Sequence, residues 1–301
     1  MQLFFAAGAR AYLYLLLLMN VEKILVSYAY PEIWKGKKML QHHKLKLFAD
    51  SGAFTAWTKG KKIDIDEYIK FLKDNMDMID RYVNLDVIPG TQGISPTQED
   101  VQIAAEKGWK NYEYFKKEGL DPIHVFHQGE SFDWLKRMLK ECHYIGVSHN
   151  KDKSTLEVDR WLYQCFYIIK NSENPNIKTH AFGLTSPSLL TKYPYYSVDS
   201  ATWALTSAMG SIYTPHGRFR ISDEEREKPD PNHIKKQPQY VQNMVKEYVD
   251  EFGFSLESAA DIKKGYKFRN LLNIKHFLDF EEKTQNVVYE NNQSFLPGME
   301  P

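Results

Sequence analysis

The stretch KLFAD at residues 46–50 is followed directly by SGAFTAW at residues 51–57. Residues 47–49 in the first stretch are continuously apolar, as in a strand that is covered on both faces. The serine and glycine that follow favour a turn. A lone carboxylate at the end of a buried strand costs desolvation free energy unless it is paired or used. Asp50 therefore needs either a partner or a function.

Apolar runs of strand length recur along the chain. Eight of them lie near residues 3, 24, 45, 82, 123, 144, 180 and 195. Helix-compatible segments separate them, for example DIDEYIKFLKDN after Ile63, with its acid-rich start and helical spacing of apolar residues. This alternation predicts a parallel sheet covered by helices. Eight units favour a closed (β/α)8 TIM barrel over an open doubly wound sheet, and no strand is followed by a G-x-G-x-x-G or P-loop motif.

The longest segment between strands is SPTQEDVQIAAEKGWKNYEYFKKEG. Its pattern predicts a helix with a capping residue at Ser95, Pro96 in the first turn and Gly119 at the end. Near the N-terminus, AYLYLLLLM at 11–19 resembles the core of a signal peptide but lacks the charged leader and the small-residue cleavage site. Nine residues are also too few to span a bilayer, so we expect a buried helix, no membrane contact and a cytoplasmic protein.

Residues 1–285 are predicted to form a single barrel domain. The alternation stops after Asp199, and a polar, turn-rich insertion is expected at about 207–235. A helical extension follows, and its last segment, KKGYKFRNLLNIKHFLDFEEKT, is a candidate for the eighth barrel helix. The tail at 286–301 is expected to be loosely ordered.

The composition excludes some classes of protein. With 301 residues, 43% of them hydrophobic, the chain is long enough to bury a substantial core. The 39 basic and 39 acidic side chains balance, so any nucleic-acid surface must be local. Only two cysteines are present, Cys142 and Cys165, which is typical of a reducing compartment and rules out a four-cysteine zinc site.

Barrel enzymes build their sites from residues at the carboxyl ends of strands and from the loops that follow. That rule selects Asp50 after the third strand, Asp86 in the fourth, Gln128 and Gly129 after the fifth, Gly146 in the sixth, Gly183 in the seventh and Asp199 after the eighth. Each acid taken alone is about as well explained as a helix N-cap or as the partner of a loop arginine. Three carboxylates at one end of a barrel, however, require proton sharing or chemistry. Such a set suits cleavage of a glycosidic bond, with one acid as nucleophile and another as proton carrier.

The sequence DSGAF at 50–54 resembles the DSGGFQ signature of the tRNA-guanine transglycosylase family. Five further similarities follow in the order of that family: NLDV at 84–87, FHQGE at 126–130, YIGVS at 144–148, AFGLTSP at 181–187 and SVDSATW at 197–203. Each motif is short, but their order and their placement at predicted strand ends make the combination more specific. The resemblance covers about residues 45–203.

The resemblance implies a role for each matching residue. Asp199 would attack C1′ of the sugar, and Asp50 would protonate the leaving purine and deprotonate the incoming one. Asp86 and Gln128 would read the polar edge of guanine, and the backbone around Gly146 would contact its carbonyl oxygen. Further base-binding positions are Gly129, Ser51 and Gly52, the last two because a turn with little side chain lets a flat base approach.

The chain also departs from the tRNA enzymes. It lacks their Cys-x-Cys-x2-Cys zinc subdomain, so no metal and no other cofactor is expected. Ala53 and Thr55 replace a glycine and a glutamine of the signature, and Ser200 to Trp203 replace the family's LPTR segment. These departures resemble the phage and bacterial DNA 7-deazaguanine transglycosylases, which exchange guanine in DNA for a preQ0-like base and so protect phage DNA from restriction.

DNA and a free 7-deazaguanine base are the partners that this resemblance implies. The target guanine would be flipped out of the duplex. Candidate phosphate contacts are Lys59, Lys61, Lys62, Arg218 and Arg220, although a solvated loop explains such charges equally well. In a phage-encoded protein the setting would be the host cytoplasm. The sequence leaves open whether the protein acts as a homodimer.

Two other functions stay open at this stage. One is the same chemistry on tRNA, which would require a partner for the 2′-hydroxyl. The other is a catalytically inactive barrel that only binds nucleic acid; the presence of both Asp50 and Asp199 argues against it. Three histidines near strand ends, His127, His149 and His180, lack ligand-like spacing and are predicted to be structural or to contact substrate.

Overall fold

The computed structural model describes residues 1–36, 40, 45–184, 186–223, 230–262 and 264–291, with side chains as far as Thr284. The chain divides into two compact units, one made chiefly of Met1–Arg10 and Glu22–Ser200 and the other of Ala11–Val21 and Ala201–Asn286. One domain over 1–285 stays a prediction. Of the tail predicted at 286–301, residues 286–291 continue the last helix and residues 292–301 lie outside the described residues.

The first unit contains a sheet of eight strands in the order β4-β3-β2-β1-β8-β7-β6-β5. All neighbouring pairs in that order are parallel. The strands are β1 Gln2–Ala6, β2 Lys23–Ser27, β3 Lys46–Asp50, β4 Ile79–Tyr82, β5 His124–His127, β6 Tyr144–Ser148, β7 Lys178–Phe182 and β8 Ser197–Ser200.

The two end strands of this order are also linked. A parallel bridge joins Val83, directly after β4, to Ile123, directly before β5. The Asn84 amide donates to the Ile123 carbonyl at 2.9 Å, and the Ile123 amide donates to the Tyr82 carbonyl at 2.9 Å. An all-parallel, eight-stranded α/β sheet with this order is consistent with a TIM-like barrel. The predicted fold class is confirmed at that level.

Helices alternate with the strands, as the sequence predicted. They are α1 Arg10–Leu18, α2 Pro31–Trp34, α3 Ala53–Thr58, α4 Ile65–Asp74, α5 Gln98–Lys117, α6 Phe132–Glu141, α7 Thr155–Lys170, α8 Pro187–Lys192, α9 Thr202–Ala208, α10 Gln239–Asp250, α11 Leu256–Ala260 and α12 Gly265–Asn291. A 3-10 turn lies at Ile234–Lys236.

The cap of α5 differs from the prediction. Thr97, not Ser95, is the N-cap, and Pro96 precedes it. The Thr97 hydroxyl accepts from the Asp100 amide at 3.1 Å, and the Asp100 carboxylate accepts from the Thr97 amide at 2.8 Å. This reciprocal capping box provides hydrogen-bond partners for two amides at the start of the helix. A single serine side chain at position 95 could not pair both of them.

Strand β4 ends earlier than the sequence predicted. The apolar run near residue 82 continues past Tyr82, but beyond the Val83 bridge the chain leaves the sheet. There the Asn84 side chain is fully buried and donates to the Gly108 carbonyl at 2.9 Å. Asp86 therefore lies in the loop after β4 and not within the strand. The apolar pattern indicates burial, which does not require pairing in a sheet.

The interior of the sheet is a cluster of apolar side chains from successive strands. Its buried members are Phe4, Leu25, Phe48, Val83, Ile123 and Val125. Phe4 and Phe48 are fully buried and meet edge to face with ring centroids 5.4 Å apart. Each such side chain contributes roughly 2–3 kcal/mol through the apolar surface it removes from water. This layer lies beneath the strand ends that carry the predicted acids.

The second unit has its own core, formed by Ile212, Ile221, Ile234, Val245, Val249, Ala259 and Leu272. Within the predicted insertion, β9 Ser211–Thr214 and β10 Gly217–Arg220 form an antiparallel hairpin, and residues 224–229 lie outside the described residues. Helix α1 confirms the predicted N-terminal helix. It is amphipathic and not wholly buried, because Leu18 is 69% exposed. None of the helices that the structure describes combines the length and apolar character needed to cross a bilayer.

Candidate active site

Asp50 is the last residue of β3 and lies opposite Ser27, the last residue of β2. Its Oδ2 accepts a hydrogen bond from the Gly52 amide at 3.0 Å. Burial raises the pKa of Asp50 to about 6. Hydrogen bonds from Ser27 and Gly52 oppose this rise in pKa, and the negative charges of Asp199 and Asp86 add to it. Asp50 is thus a carboxyl group that exchanges protons near neutral pH, as a general acid or base must.

The turn after Asp50 requires glycine at position 52. Gly52 has φ +75°, and a Cβ there would lie 2.6 Å from Ser27 Oγ and 2.7 Å from Ala29 Cβ. Ser51, before it, is 2% exposed, and its hydroxyl accepts from the Ala53 amide at 3.4 Å. Gly52 therefore both allows the turn and supplies the amide that holds Asp50.

Replacing Gly52 with alanine is expected to lower the free energy of unfolding by at least about 2 kcal/mol. The left-handed backbone costs alanine roughly 1–2 kcal/mol, and displacement of Ser27 and Ala29 adds to that. Gly60→Ala is the matched control, because Gly60 has φ +64° with nothing within 4 Å of a Cβ. Urea unfolding of both variants measures the difference, and equal losses of stability would show that the contacts around Gly52 carry no cost.

Asp199 lies on β8 and is 9% exposed. Its Oδ1 accepts two hydrogen bonds, from the Gly183 amide at 3.0 Å and from His180 Nε2 at 3.2 Å. Gly183 has φ +61°, the left-handed turn that brings its amide to Asp199. In the part of the chain that the structure describes, Oδ2 has no hydrogen-bond partner. One oxygen of the carboxylate is thus held in place by two donors and the other is not.

Asp86 lies beside His127, at 3.5 Å between Oδ2 and Nε2. On its other side the His127 ring lies against Glu130, at 3.1 Å between Nδ1 and Oε1. Burial lowers the pKa of His127, but the two carboxylates outweigh it and raise the pKa to about 10. His127 is therefore an imidazolium that donates from both nitrogens, and its charge offsets that of Asp86.

The other predicted base-binding residues lie directly after β5 and within β6. Gln128 Oε1 accepts from the Asn150 amide at 3.0 Å, which leaves the side-chain NH2 group to donate elsewhere. Gly129 has φ +113°, and nothing lies within 4 Å of where a Cβ would be. Gly146 lies within β6, and a Cβ there would come within 2.5 Å of the Phe182 ring. Gly146 makes room for Phe182, and its contact with a base stays a prediction.

The predicted phosphate contacts fall into two groups. Lys59, Lys61 and Lys62 are exposed in the loop after α3. Arg218 is exposed on the hairpin of the second unit. Arg220 is 2% exposed and donates from Nη1 to the Met209 carbonyl at 2.7 Å. A buried guanidinium bonded to the backbone does not present itself to a phosphate, so the structure gives no support to a phosphate contact of Arg220.

The structure brings the three predicted carboxylates together. Asp50 is the last residue of β3, Asp199 is the third of the four residues of β8, and Asp86 follows β4, yet the charges of Asp199 and Asp86 both act on Asp50. No family model and no curated protein matches this chain. Over the described ranges, no group of three or more His, Cys, Asp or Glu side chains is arranged to hold a metal ion.

Sequence reasoning missed the partners of the three acids. His180 and His127, for which the sequence predicts structural or substrate-contacting roles, lie directly against Asp199 and Asp86. The i,i+3 spacing of His127 and Glu130 within FHQGE was an available signal for their ion pair. Ser27, which lowers the pKa of Asp50, carried no signal of its own because its contact depends on the β2–β3 register.

Proposed function

We propose that the protein is a DNA-guanine transglycosylase, which exchanges guanine in DNA for a preQ0-like 7-deazaguanine base. The observation that supports this most is the pair of unlike carboxylates. Asp50 has a pKa raised to about 6, and Asp199 has one oxygen held by two donors and the other unpartnered among the described residues. Two acids in different environments suit the roles of proton carrier and nucleophile.

The reaction proceeds by two displacements at C1′ of the sugar. In the first, Asp199 Oδ2 bonds to C1′ while the bond from C1′ to N9 breaks, and protonated Asp50 gives its proton to the departing guanine. In the second, Asp50 takes the proton from N9 of the incoming base, and that nitrogen displaces Asp199 from C1′. Covalent catalysis of this kind replaces one difficult step by two easier ones. Asp50 returns to its starting protonation state.

Base recognition follows from the hydrogen-bonding character of Asp86 and Gln128. The polar edge of guanine presents two donors, N1–H and the 2-amino group, beside one acceptor, O6. Asp86 is an acceptor, and the Gln128 side chain has its NH2 group available to donate. Adenine presents a donor where guanine has O6 and an acceptor where guanine has N1–H. The pair therefore favours guanine and a 7-deazaguanine with the same edge.

An aromatic pair near the site, with one exposed ring, supports a polynucleotide substrate. Phe54, two residues beyond Gly52, is 55% exposed and stacks on Trp57 with ring centroids 6.1 Å apart. Lys151 Nζ lies 5.4 Å from the Phe54 ring. Aromatic rings flanked by lysines are typical of surfaces that stack bases and contact phosphates, and Lys59, Lys61 and Lys62 lie in the adjoining loop. The target base would be flipped out of the duplex. For a phage-encoded protein the reaction would take place in the host cytoplasm.

The release of guanine is expected to slow as the pH rises through about 6. Asp50 must be protonated to donate, and its raised pKa keeps it protonated up to about that pH. In single turnover without an incoming base, the rate should fall about tenfold per pH unit above this range. Asp50→Asn should show a low rate that does not vary with pH. If the rate of guanine release by the native protein did not change between pH 5 and pH 8, that result would contradict the assignment of Asp50 as general acid.

Incubation of the protein with labelled guanine and either duplex DNA or tRNA tests the proposal. We expect label in DNA, and competition by a preQ0-like base. Label in tRNA alone would overturn the DNA assignment and favour the tRNA reaction. Binding of DNA without label in either polynucleotide would indicate an inactive nucleic-acid-binding barrel. Nucleoside mass spectrometry of DNA from cells that express the protein with preQ0 available then identifies the inserted base.

A further inference from the structure

A hydrogen-bond network of five side chains crosses the interior of the sheet and ends at Asp199; we call it the interior network. Arg81 Nη1 lies 3.3 Å from the Tyr144 hydroxyl, which is in close hydrogen-bond contact with Ser197 Oγ. Ser197 Oγ lies 2.5 Å from His180 Nδ1. His180 Nε2 lies 3.2 Å from Asp199 Oδ1. These residues come from β4, β6, β7 and β8.

The Asp199 carboxylate and a neutral His180 together set the direction of the hydrogen bonds in the interior network. Arg81 can only donate, and the Asp199 carboxylate can only accept. A neutral His180 therefore carries its proton on Nε2 and accepts at Nδ1, and each hydroxyl before it accepts one hydrogen bond and donates one. Tyr144 donates to Ser197, and Ser197 donates to His180 Nδ1. The Nε2 proton of His180 faces Asp199.

The surroundings of His180 are consistent with this neutral tautomer. The ring is completely buried, with the centroids of Phe48 and Phe182 at 4.7 and 4.4 Å. Burial lowers the pKa of His180, and this outweighs the opposite effect of Asp199. Burial raises the pKa of Tyr144 to about 12, so its phenol keeps the proton that it donates. The charge of Arg81 is paired with Asp80, at 2.6 Å between Nη2 and Oδ2.

We infer that His180 is a positioning residue for Asp199, held in its Nε2–H tautomer by Ser197, Tyr144 and Arg81. With Oδ1 fixed by His180 and by the Gly183 amide, Oδ2 is the oxygen directed at the sugar. The inference rests on the proposed role of Asp199 as nucleophile. Arg81, at the far end of the interior network, influences the reaction without touching the substrate.

The geometry favours this role over one of filling space. The side chains of Phe4, Phe48 and Phe182 surround the same part of the sheet. If the residues of the interior network only filled space, apolar side chains in their place would do so without the free-energy cost of burying polar atoms. The interior network is satisfied throughout and delivers one hydrogen bond to the only acid on β8. In metal sites, loss of a residue that orients a ligand typically costs about 10- to 100-fold in metal affinity or activity, and we expect an effect at the lower end of that range here.

The tautomer of His180 is measurable without any reaction. In protein labelled with 15N at histidine, we expect Nδ1 of His180 to give the shift of an unprotonated nitrogen and Nε2 that of a protonated one. This pattern should persist from pH 6 to 8. The His180 signals are assigned from their loss in His180→Gln. In Ser197→Ala the preference for one tautomer should weaken. An Nδ1–H tautomer, or an imidazolium, in the native protein would overturn the inference.

Kinetics then test whether the tautomer matters. Ser197→Ala is expected to lower kcat for base exchange about tenfold with KM changed less than twofold, because Ser197 does not touch the substrate. Thr179→Val is the matched control, since Thr179 is a buried hydroxyl on the same strand as His180 and lies outside the interior network. It should keep kcat within twofold. If Ser197→Ala does not fold, Tyr144→Phe interrupts the interior network one residue earlier.

The possible failures are separable. If native protein shows the predicted tautomer and Ser197→Ala alters the tautomer but not kcat, the positioning role is wrong while the proposed function stands. If the native protein exchanges no base in DNA or tRNA, the proposed function fails and the catalytic part of the inference fails with it. The NMR measurement still decides whether the interior network has the direction assigned to it.

Discussion

Asp199→Asn is expected to lower kcat for base exchange by at least about 10³-fold, since removal of a covalent nucleophile costs that much or more in other enzymes. Asparagine has the same size and its carbonyl oxygen accepts the hydrogen bonds of Gly183 and His180, so the site should stay in place. The side-chain amide, however, is a poor nucleophile. Incorporation of labelled guanine into duplex DNA, followed over time, measures the loss.

Asp159→Asn is the control for this variant. Asp159 lies on α7 and accepts from Lys192 Nζ at 2.8 Å, outside the group of three acids. It should keep kcat within about twofold, because it removes a paired carboxylate without touching the reacting atoms. Full activity of Asp199→Asn in a folded protein would mean that another group attacks the sugar.

Asp50→Asn is expected to have two opposite effects, a large loss of activity and a gain in stability near pH 8. Loss of the proton carrier should lower kcat by roughly 10²- to 10⁴-fold. Stability should rise because the pKa of Asp50 is about 6 in the folded protein against a model value of 3.8. The folded state holds this proton more tightly than the unfolded chain does, so the contribution of Asp50 to stability is present below pH of about 4 and lost as the pH rises through about 6.

The gain at pH 8 should not exceed about 3 kcal/mol, since each pKa unit corresponds to about 1.4 kcal/mol. At pH 4 the gain should vanish. Urea unfolding at both pH values, with Asp159→Asn as comparison, measures it. Asp159 has a pKa that Lys192 and Tyr193 lower despite burial, so Asp159→Asn should lose stability at pH 8. A loss of stability in Asp50→Asn at pH 8 would show that burial does not destabilise the ionised Asp50 carboxylate in the folded protein.

Much of the fold could be predicted because strands and helices have distinct periodicities. All eight strands of the sheet overlap the apolar runs read from the sequence, and KLFAD is β3 with Asp50 as its last residue. The carboxyl ends of parallel strands meet at one edge, and this places Asp50 and Asp199 together once the strands are known. The errors lie where side chains decide a boundary, as Thr97 does at α5 and Asn84 does after β4.

The partners of the acids could not be predicted because they depend on contacts across the sheet. A period of two residues places Ser197 and Asp199 on the same face of β8, but it does not show which side chains of β7 or β6 face them. The register of His180 with Ser197 supplies that information. Arg220 is the opposite case. Its sequence context is polar and turn-rich, yet its side chain is buried and donates a hydrogen bond to the Met209 carbonyl.

The central claim is a covalent bond between Asp199 and the sugar, and mass spectrometry of the protein's peptides tests it most directly. Native protein is incubated with a duplex oligonucleotide without an incoming base, then denatured and digested. We predict a mass increase equal to one DNA strand less guanine, mapped to the peptide that contains Asp199 and absent in Asp199→Asn. Release of guanine without an adduct, or an adduct on another residue, would contradict the claim.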